Sequence, residues 1–249
     1  MNDISLAMTF VLVILAMYLS YKDKIGLEKE IIIGSIRAVV QLTAIGFVLT
    51  YVFDLDNSIA TTLILLAMVY NASTVSAKRG KGIEHVKKIS FVALLAGLVT
   101  TLGILLLCGA VTYQPSQVIP ISGMVVGNSM IAAGLVFNHL KENFERRREE
   151  VEIKLCLGAS AKESCASIIR QTIKNSMQPS IDSMKTLGIV QLPGMMTGLI
   201  LAGLPPAAAI KYQIMVAFML VGAVAVTTFM ASYWTYKSFF TELEQLRQS

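Results

Sequence analysis

The sequence predicts an all-α polytopic membrane protein of about seven transmembrane helices, with the N-terminus outside and the C-terminus inside. Three observations predict it. Of 249 residues, 55% are hydrophobic and only 15% charged, with a mean hydropathy of +0.66, whereas about a quarter of a soluble domain is charged. Seven runs approach the roughly 20 apolar residues that a helix needs to cross the hydrocarbon core. The loops between them alternate between basic and non-basic.

The runs are Ile4–Tyr21, Ile31–Phe53, Ser58–Ala77, Ile89–Thr112, Val118–Leu140, Thr186–Leu204 and Ile214–Tyr236. The first lacks a basic segment before it and carries Lys22 and Lys24 after it, so it reads as a retained span and not as a signal peptide. Lys22, Lys24 and Lys29 follow the first span, and Lys78, Arg79, Lys81, Lys87 and Lys88 follow the third. Lys141, Arg146, Arg147, Arg148, Lys154, Lys162, Arg170 and Lys174 follow the fifth, and Lys237 and Arg247 the last. Eighteen of the 21 basic residues thus share one side, which the positive-inside bias makes the cytoplasm. Arg37 lies within a span, Lys185 at an inner boundary and Lys211 outside. In such a chain the net charge of +5 reports sidedness, and no nucleic-acid partner is expected. Three cysteines, Cys108, Cys156 and Cys165, without a C-x-x-C pair supply neither a disulfide framework nor a four-cysteine metal site.

The chain reads as one transmembrane domain, 1–249, in which 141–185 is the one sizeable cytoplasmic segment. Glu142 to Leu157 has helical charge pairs such as Glu142–Arg146, and Gly158 interrupts as a helix stop does. Ser160 followed by Glu163 is a capping box. Cys165, Ile168, Ile169, Thr172 and Ile173 then mark one apolar face of a second helix, expected to run until Pro179. A helix pair around a tight Gly158-Ala159 turn suits a docking element for a soluble partner. An amphipathic helix lying on the bilayer is the other reading.

Within the membrane, Gln41, Asn128 and the stretch from Gln191 to Met196 fall near one estimated depth. Pro193-Gly194 breaks the helical ladder there, and freed backbone at that depth is tolerated only against protein or water. Arg37, Gln41, Asn71, Met124, Asn128, Ser129, Met130, Pro193, Gly194, Met195, Met196 and Thr197 are therefore the candidate lining of a path. Gly123-x3-Gly127 and Gly194-x3-Gly198 also fit close helix packing, the amides interhelical glue, and Arg37 can snorkel to water. Thirteen methionines offer soft thioethers or pliable packing. With His85 and His139 in or beside loops and no Asp or Glu at the centre of a span, no metal site is assigned. No G-x4-G-K-[ST] loop occurs, so ATP is not bound in that way, and no catalytic residues are assigned.

Glu152, Gly158 and Ile168 resemble the spacing by which ABC-transporter permeases present a coupling helix, with Ile153 and Lys154 standing where alanines are usual. Further matches run along the chain. They are Arg37-x3-Gln41-Leu42, Pro120-x2-Gly123-Met124-Val125-x-Gly127-Asn128-Ser129-Met130, Leu157-Gly158-Ala159-Ser160, Leu192-Pro193-Gly194-Met195-Met196-Thr197-Gly198, Ala202-Gly203 and Tyr212-Gln213-Ile214. Together they resemble the FetB-type permease family, iron-export ABC transporters of bacteria with plant relatives linked to aluminium tolerance.

The resemblance implies a homodimeric inner-membrane permease subunit that exports iron, another metal ion or a small solute by alternating access. It also implies a separate ATPase subunit that carries ATP and Mg, seated against Glu152, Leu157, Gly158, Ala159, Ser160, Glu163 and Ile168. An ATPase-independent channel or secondary transporter is the alternative. A retinal receptor would need a lysine deep in the last span, where Lys211 and Lys237 stand only at its ends. An intramembrane hydrolase would need a His or carboxylate base within the spans.

Overall fold

The computed structural model describes residues 8–55, 57–241 and 244–247. The helices are α1 (Phe10–Lys22), α2 (Glu28–Leu55), α3 (Ser58–Ala77), α4 (Val86–Leu107), α5 (Pro115–Arg146), α6 (Arg148–Cys156), α7 (Ala161–Ser164), α8 (Ala166–Thr186), α9 (Gly194–Leu201) and α10 (Pro206–Thr235). Single 3-10 turns follow α3 and α10. Among the described residues, extended pairing is confined to two isolated bridges, Leu187 with Gln191 and Phe240 with Leu246. Among the described residues, five helical stretches are long and apolar enough to cross a membrane: Glu28–Phe47, Ser58–Gly80, Val86–Leu107, Pro115–Arg146 and Pro206–Phe239. The apolar α1 is 13 residues long, and residues 4–7 of the first predicted span lie outside the described residues.

The chain divides into two compact units at Asn57/Ser58. In the first, α1 and α2 form a hairpin whose turn is tied by Ser20. Its hydroxyl donates to Glu28 Oε1 at 2.8 Å and accepts the Leu27 N–H at 3.1 Å. Apolar side chains such as Leu12, Leu15, Ile33, Val40 and Phe47 are exposed on these helices. That distribution suits a helix surrounded by lipid or protein, not water.

The second unit is a bundle in which α4 and α5 pack against each other and each against both α3 and α10, while α8 lies along α5 and α10. Small and hydroxylated residues let its helices approach. A Cβ at Gly97 would fall 2.4 Å from Thr227 Oγ1 and 3.1 Å from the Ala223 carbonyl oxygen, so α4 and α10 meet there only because Gly97 has no side chain. The hydroxyls of Ser76 and Ser90 bond at 2.6 Å, and Thr227 donates to the Ala93 carbonyl at 3.4 Å. Gly127, Gly194 and Gly198 have nothing within 4 Å of an added Cβ, and Gly123 meets only Met68 Cε at 3.4 Å. Within this chain the two small-x3-small patterns therefore mark no tight crossing.

Four helix boundaries differ from the sequence reading, one of them at Cys165, where the capped four-residue α7 ends and α8 begins as a separate helix. The stretch from Glu142 to Leu157 is not one helix, because α5 continues to Arg146 and α6 restarts at Arg148. The break at Arg147 lets Phe144 and Val151 enter the same core with Phe137, Leu140, Cys165, Ile168 and Ile169. Pro179 does not end the amphipathic helix, since α8 runs on to Thr186. One lost backbone bond is outweighed there by burial of Thr172, Ile173 and Ser176 on the preceding turns. The sixth predicted span is also interrupted. Thr186 closes α8, and α9 occupies only Gly194–Leu201. Between them Gly188 at φ +80° and an extended Pro193 turn the chain, and the Val190 N–H returns to the Thr186 carbonyl at 3.0 Å.

Candidate functional site

A cavity of about 280 Å³ opens in the second unit where α5, α8, α9 and α10 converge. From α5 come Met124 and Asn128, from α8 Ser180, Ser183 and Met184, from the following turn Gln191 and Pro193, from α9 Gly194 and Met195, and from α10 Gln213. Leu187, Val216, Ala217, Leu220 and Val221 complete the wall. Asn128 lies in the middle third of α5, about 20 Å from its start and about 27 Å from its end at 1.5 Å per residue.

The polar groups of the wall are only partly satisfied. Asn128 donates from Nδ2 to the Met124 carbonyl at 2.9 Å, and Ser183 donates to Gln191 Oε1 at a long 3.4 Å. Gln213 Oε1 is buried and, among the described residues, has no hydrogen-bond donor, a state that costs free energy. Asp182 is the neighbouring carboxylate on α8. It accepts from Gln178 at 2.9 Å and from Lys185 at 3.2 Å and is not part of the wall.

Of the path candidates, Met124, Asn128, Pro193, Gly194 and Met195 therefore share one cavity. Met130, Met196 and Thr197 are not in its lining, and Thr197 donates back to the Pro193 carbonyl at 3.2 Å. Ser129 is fully buried, 3.7 Å from a Cβ position at Gly97. Asn71 is exposed on α3. Arg37 and Gln41 belong to the first unit, where both are exposed on α2. Ser180, Ser183, Met184 and Gln213 are lining residues that sequence reasoning did not select. The amide of Gln213 inside an apolar run was the available signal.

The second cluster is the turn after α6. Gly158 takes φ +88°, its N–H donates to the Leu155 carbonyl and the Ala159 N–H to the Lys154 carbonyl, both at 3.0 Å, which forms a Schellman stop. Ser160 and Glu163 make the reciprocal capping box, and these bonds from Ser160 hold the Glu163 carboxyl below its ordinary value of 4.5. Glu152 pairs with Arg148 at 2.8 Å, and Leu157 is 82% exposed at the tip. Ile168, by contrast, is 1% exposed and belongs to the core that anchors the turn.

The last residues complete a cleft at this turn. Glu244 accepts the Ala161 N–H at 3.1 Å, and Glu244, Gln245 and Leu246 face Glu152, Gly158 and Glu163 across it. Phe239 stacks on Phe144 at 4.2 Å, and Arg247 pairs with Glu84. That C-terminal wall was absent from the sequence reading.

The helix α8 joins both clusters. Near its start, Arg147 donates to Ser167 at 3.1 Å and Asn143 to Thr172 at 3.5 Å, whereas Ser180–Met184 reach the level of Asn128. It therefore runs antiparallel to α5, and Cys165 to Ser183 spans about 27 Å.

Fold and site together define a helical membrane protein with a half-open cavity between its helices, lined in part by polar side chains, and a capped turn at one end. The chain belongs to the family described as "Uncharacterised protein family (UPF0014)", whose model matches residues 3–240. It is 43% identical to the "Probable iron export permease protein FetB" of Escherichia coli (strain K12) over 242 residues, 97% of this chain and 93% of that one. It is 41% identical to the "UPF0014 membrane protein YjkA" of Bacillus subtilis (strain 168) over the whole of both chains. It is 36% identical to the "Protein ALUMINUM SENSITIVE 3" of Arabidopsis thaliana over 97% of this chain and 88% of that one. No solved structure matches it.

Proposed function

We propose that this chain is the membrane-spanning permease subunit of an ABC transporter, and that it exports iron or another metal ion by alternating access. It works as a homodimer in the inner membrane, with the N-terminus outside, the C-terminus inside and about seven membrane passes. A separate ATPase subunit supplies ATP and Mg. The name of the relative that is 43% identical supports iron export. The observation that carries the mechanism is α8, which begins one residue after the short capped helix α7 and ends at the cavity wall.

A rigid helix transmits displacement, so movement of the Gly158 turn against an ATPase shifts Ser180, Ser183 and Met184 against Asn128 and Gln213. Leu157 presents an exposed apolar tip for docking, while the core around Ile168 keeps the turn from yielding. Five path candidates in one cavity supply the other half of the argument. The test is reconstitution in vesicles with and without an ATP-binding subunit that co-purifies with the chain. ATP-dependent iron movement only with the subunit is expected. Equal movement without it would replace this reading with a channel or secondary transporter.

A further inference from the structure

We propose that the groove between α4 and α10, at the end of the bundle remote from the Gly158 turn, is a lipid site that takes an acyl chain of an anionic phospholipid along the helices and its headgroup at Lys211. The site is separate from the cavity described above, and the proposal does not depend on what the chain transports.

The two helices meet where Gly97 faces Ala223 and Thr227. Beside that contact and toward the start of α10, a groove of about 470 Å³ opens between them, walled by Ile104 and Leu105 on α4 and by Ile214, Met215, Phe218 and Met219 on α10. Ile104 and Phe218 are exposed, so the groove faces whatever surrounds the bundle. Gly222 also lines it and has nothing within 4 Å of an added Cβ. Among the described residues Lys211 is the one charged side chain in the lining. A second recess of about 450 Å³ adjoins the groove there, with Lys211 and Met215 shared between the two and Tyr212 on its wall. From Lys211 to Thr235, beyond which the C-terminal wall of the Gly158 cleft follows, α10 spans about 36 Å. The lysine and the turn therefore stand at opposite faces of a bilayer.

Charge and length both fit a phospholipid. The segments of the second unit at this end, 108–114 and 202–210, contain no Asp or Glu, and no ion pair among the described residues involves Lys211. A second copy seated here about a two-fold axis would bring the same acid-free end and another lysine. An anionic headgroup brings the missing counter-charge, and its phosphate can also accept from the Tyr212 hydroxyl. From Lys211 to Gly222 the groove follows α10 for about 17 Å, close to the roughly 15 Å of one leaflet's hydrocarbon. Lipid tails are as apolar as leucine, so the groove gains little by choosing among chains. Selection falls to the amine at its end.

The test places the full chain in phosphatidylcholine nanodiscs with a trace of phosphatidylglycerol or of phosphatidylcholine, each carrying the same diazirine-bearing acyl chain. After illumination the labelled residues are mapped by mass spectrometry. Label is expected on Ile104, Ile214 and Phe218, about fivefold more from the glycerol lipid, the preference that one lysine near an anionic headgroup supplies. Lys211→Gln should make the two lipids equal at these residues, and Lys211→Arg should keep the preference. Gly222→Phe, whose side chain enters open space, should lower labelling by both lipids severalfold. Equal labelling of the unaltered chain by the two lipids, or a preference that survives Lys211→Gln, would overturn the proposal. Labelling that avoids the groove would overturn it too, and a disulfide between Phe218→Cys residues of two copies would then assign the groove to a second copy.

Discussion

The two ends of α8 are built on opposite principles. At its start Cys165, Ile168 and Ile169 are buried against Phe137, Leu140, Phe144 and Val151, with Phe239 stacked on Phe144, and the adjoining turn has its backbone groups capped. At its end Ser183 and Met184 are exposed beside a cavity. Interiors are close-packed, so the first end is stiff, whereas the second has room to rearrange. A lever needs this asymmetry, with one end held where force enters and the other free where the cargo sits.

The largest expected effect comes from loosening the stiff end. Ile168→Ala should destabilise the protein by about 2–5 kcal/mol, whereas Met184→Ala at the exposed end should cost under about 1 kcal/mol. Thermal unfolding of the two variants in one detergent checks the contrast, and equal costs would break it.

Gly158→Val comes next. No neighbour obstructs an added Cβ, so the penalty is the φ of +88° itself, about 1–2 kcal/mol for an L-residue. Transport-stimulated ATP hydrolysis should be lost while membrane insertion persists, and Gly158→Asn, which tolerates that φ better, should retain more of it.

Thiol chemistry gives a smaller and cleaner readout. Cys156 is exposed, whereas Cys165 is buried and its thiol is pushed up to about 11 by burial. In a Cys108→Ser background a maleimide should modify Cys156 and spare Cys165 under native conditions. Modification of both at similar rates would show that the core at this end opens.

The smallest effect is the acid sensitivity of the cap. Ser160 lowers the folded pKa of Glu163, so the cap's contribution is complete above the unfolded value near 4.5 and fades as pH falls through the lowered value. Glu163→Gln should flatten the acid limb of a stability profile, where pH falls below the unfolded value near 4.5.

The stiff end was far more legible in the sequence than the open one. Gly158, Ser160 and Glu163 act on neighbours within five residues, so their pattern alone specifies the stop and the cap. The spacing of Cys165, Ile168, Ile169, Thr172 and Ile173 likewise identified a face that is buried. It did not say against what, because burial on α5 and α10 is a long-range choice. The cavity joins residues from 124 to 221, and estimated depth selected Asn128 and Met195 but had no means of bringing Ser183 or Gln213 beside them. Pro179 misled for the same reason, since tertiary packing carried the helix past a local breaker.

The central claim is that α8 carries motion from the turn to the cavity. Its most direct test is the thiol accessibility of Ser183→Cys in a Cys-free chain reconstituted with its ATPase subunit, measured with and without ATP. ATP should change the labelling rate severalfold, and replacing Asn175 and Ser176 with a pair of glycines should abolish that change while the complex still assembles. A labelling rate that ignores ATP, or that responds equally through the glycine break, would contradict the account.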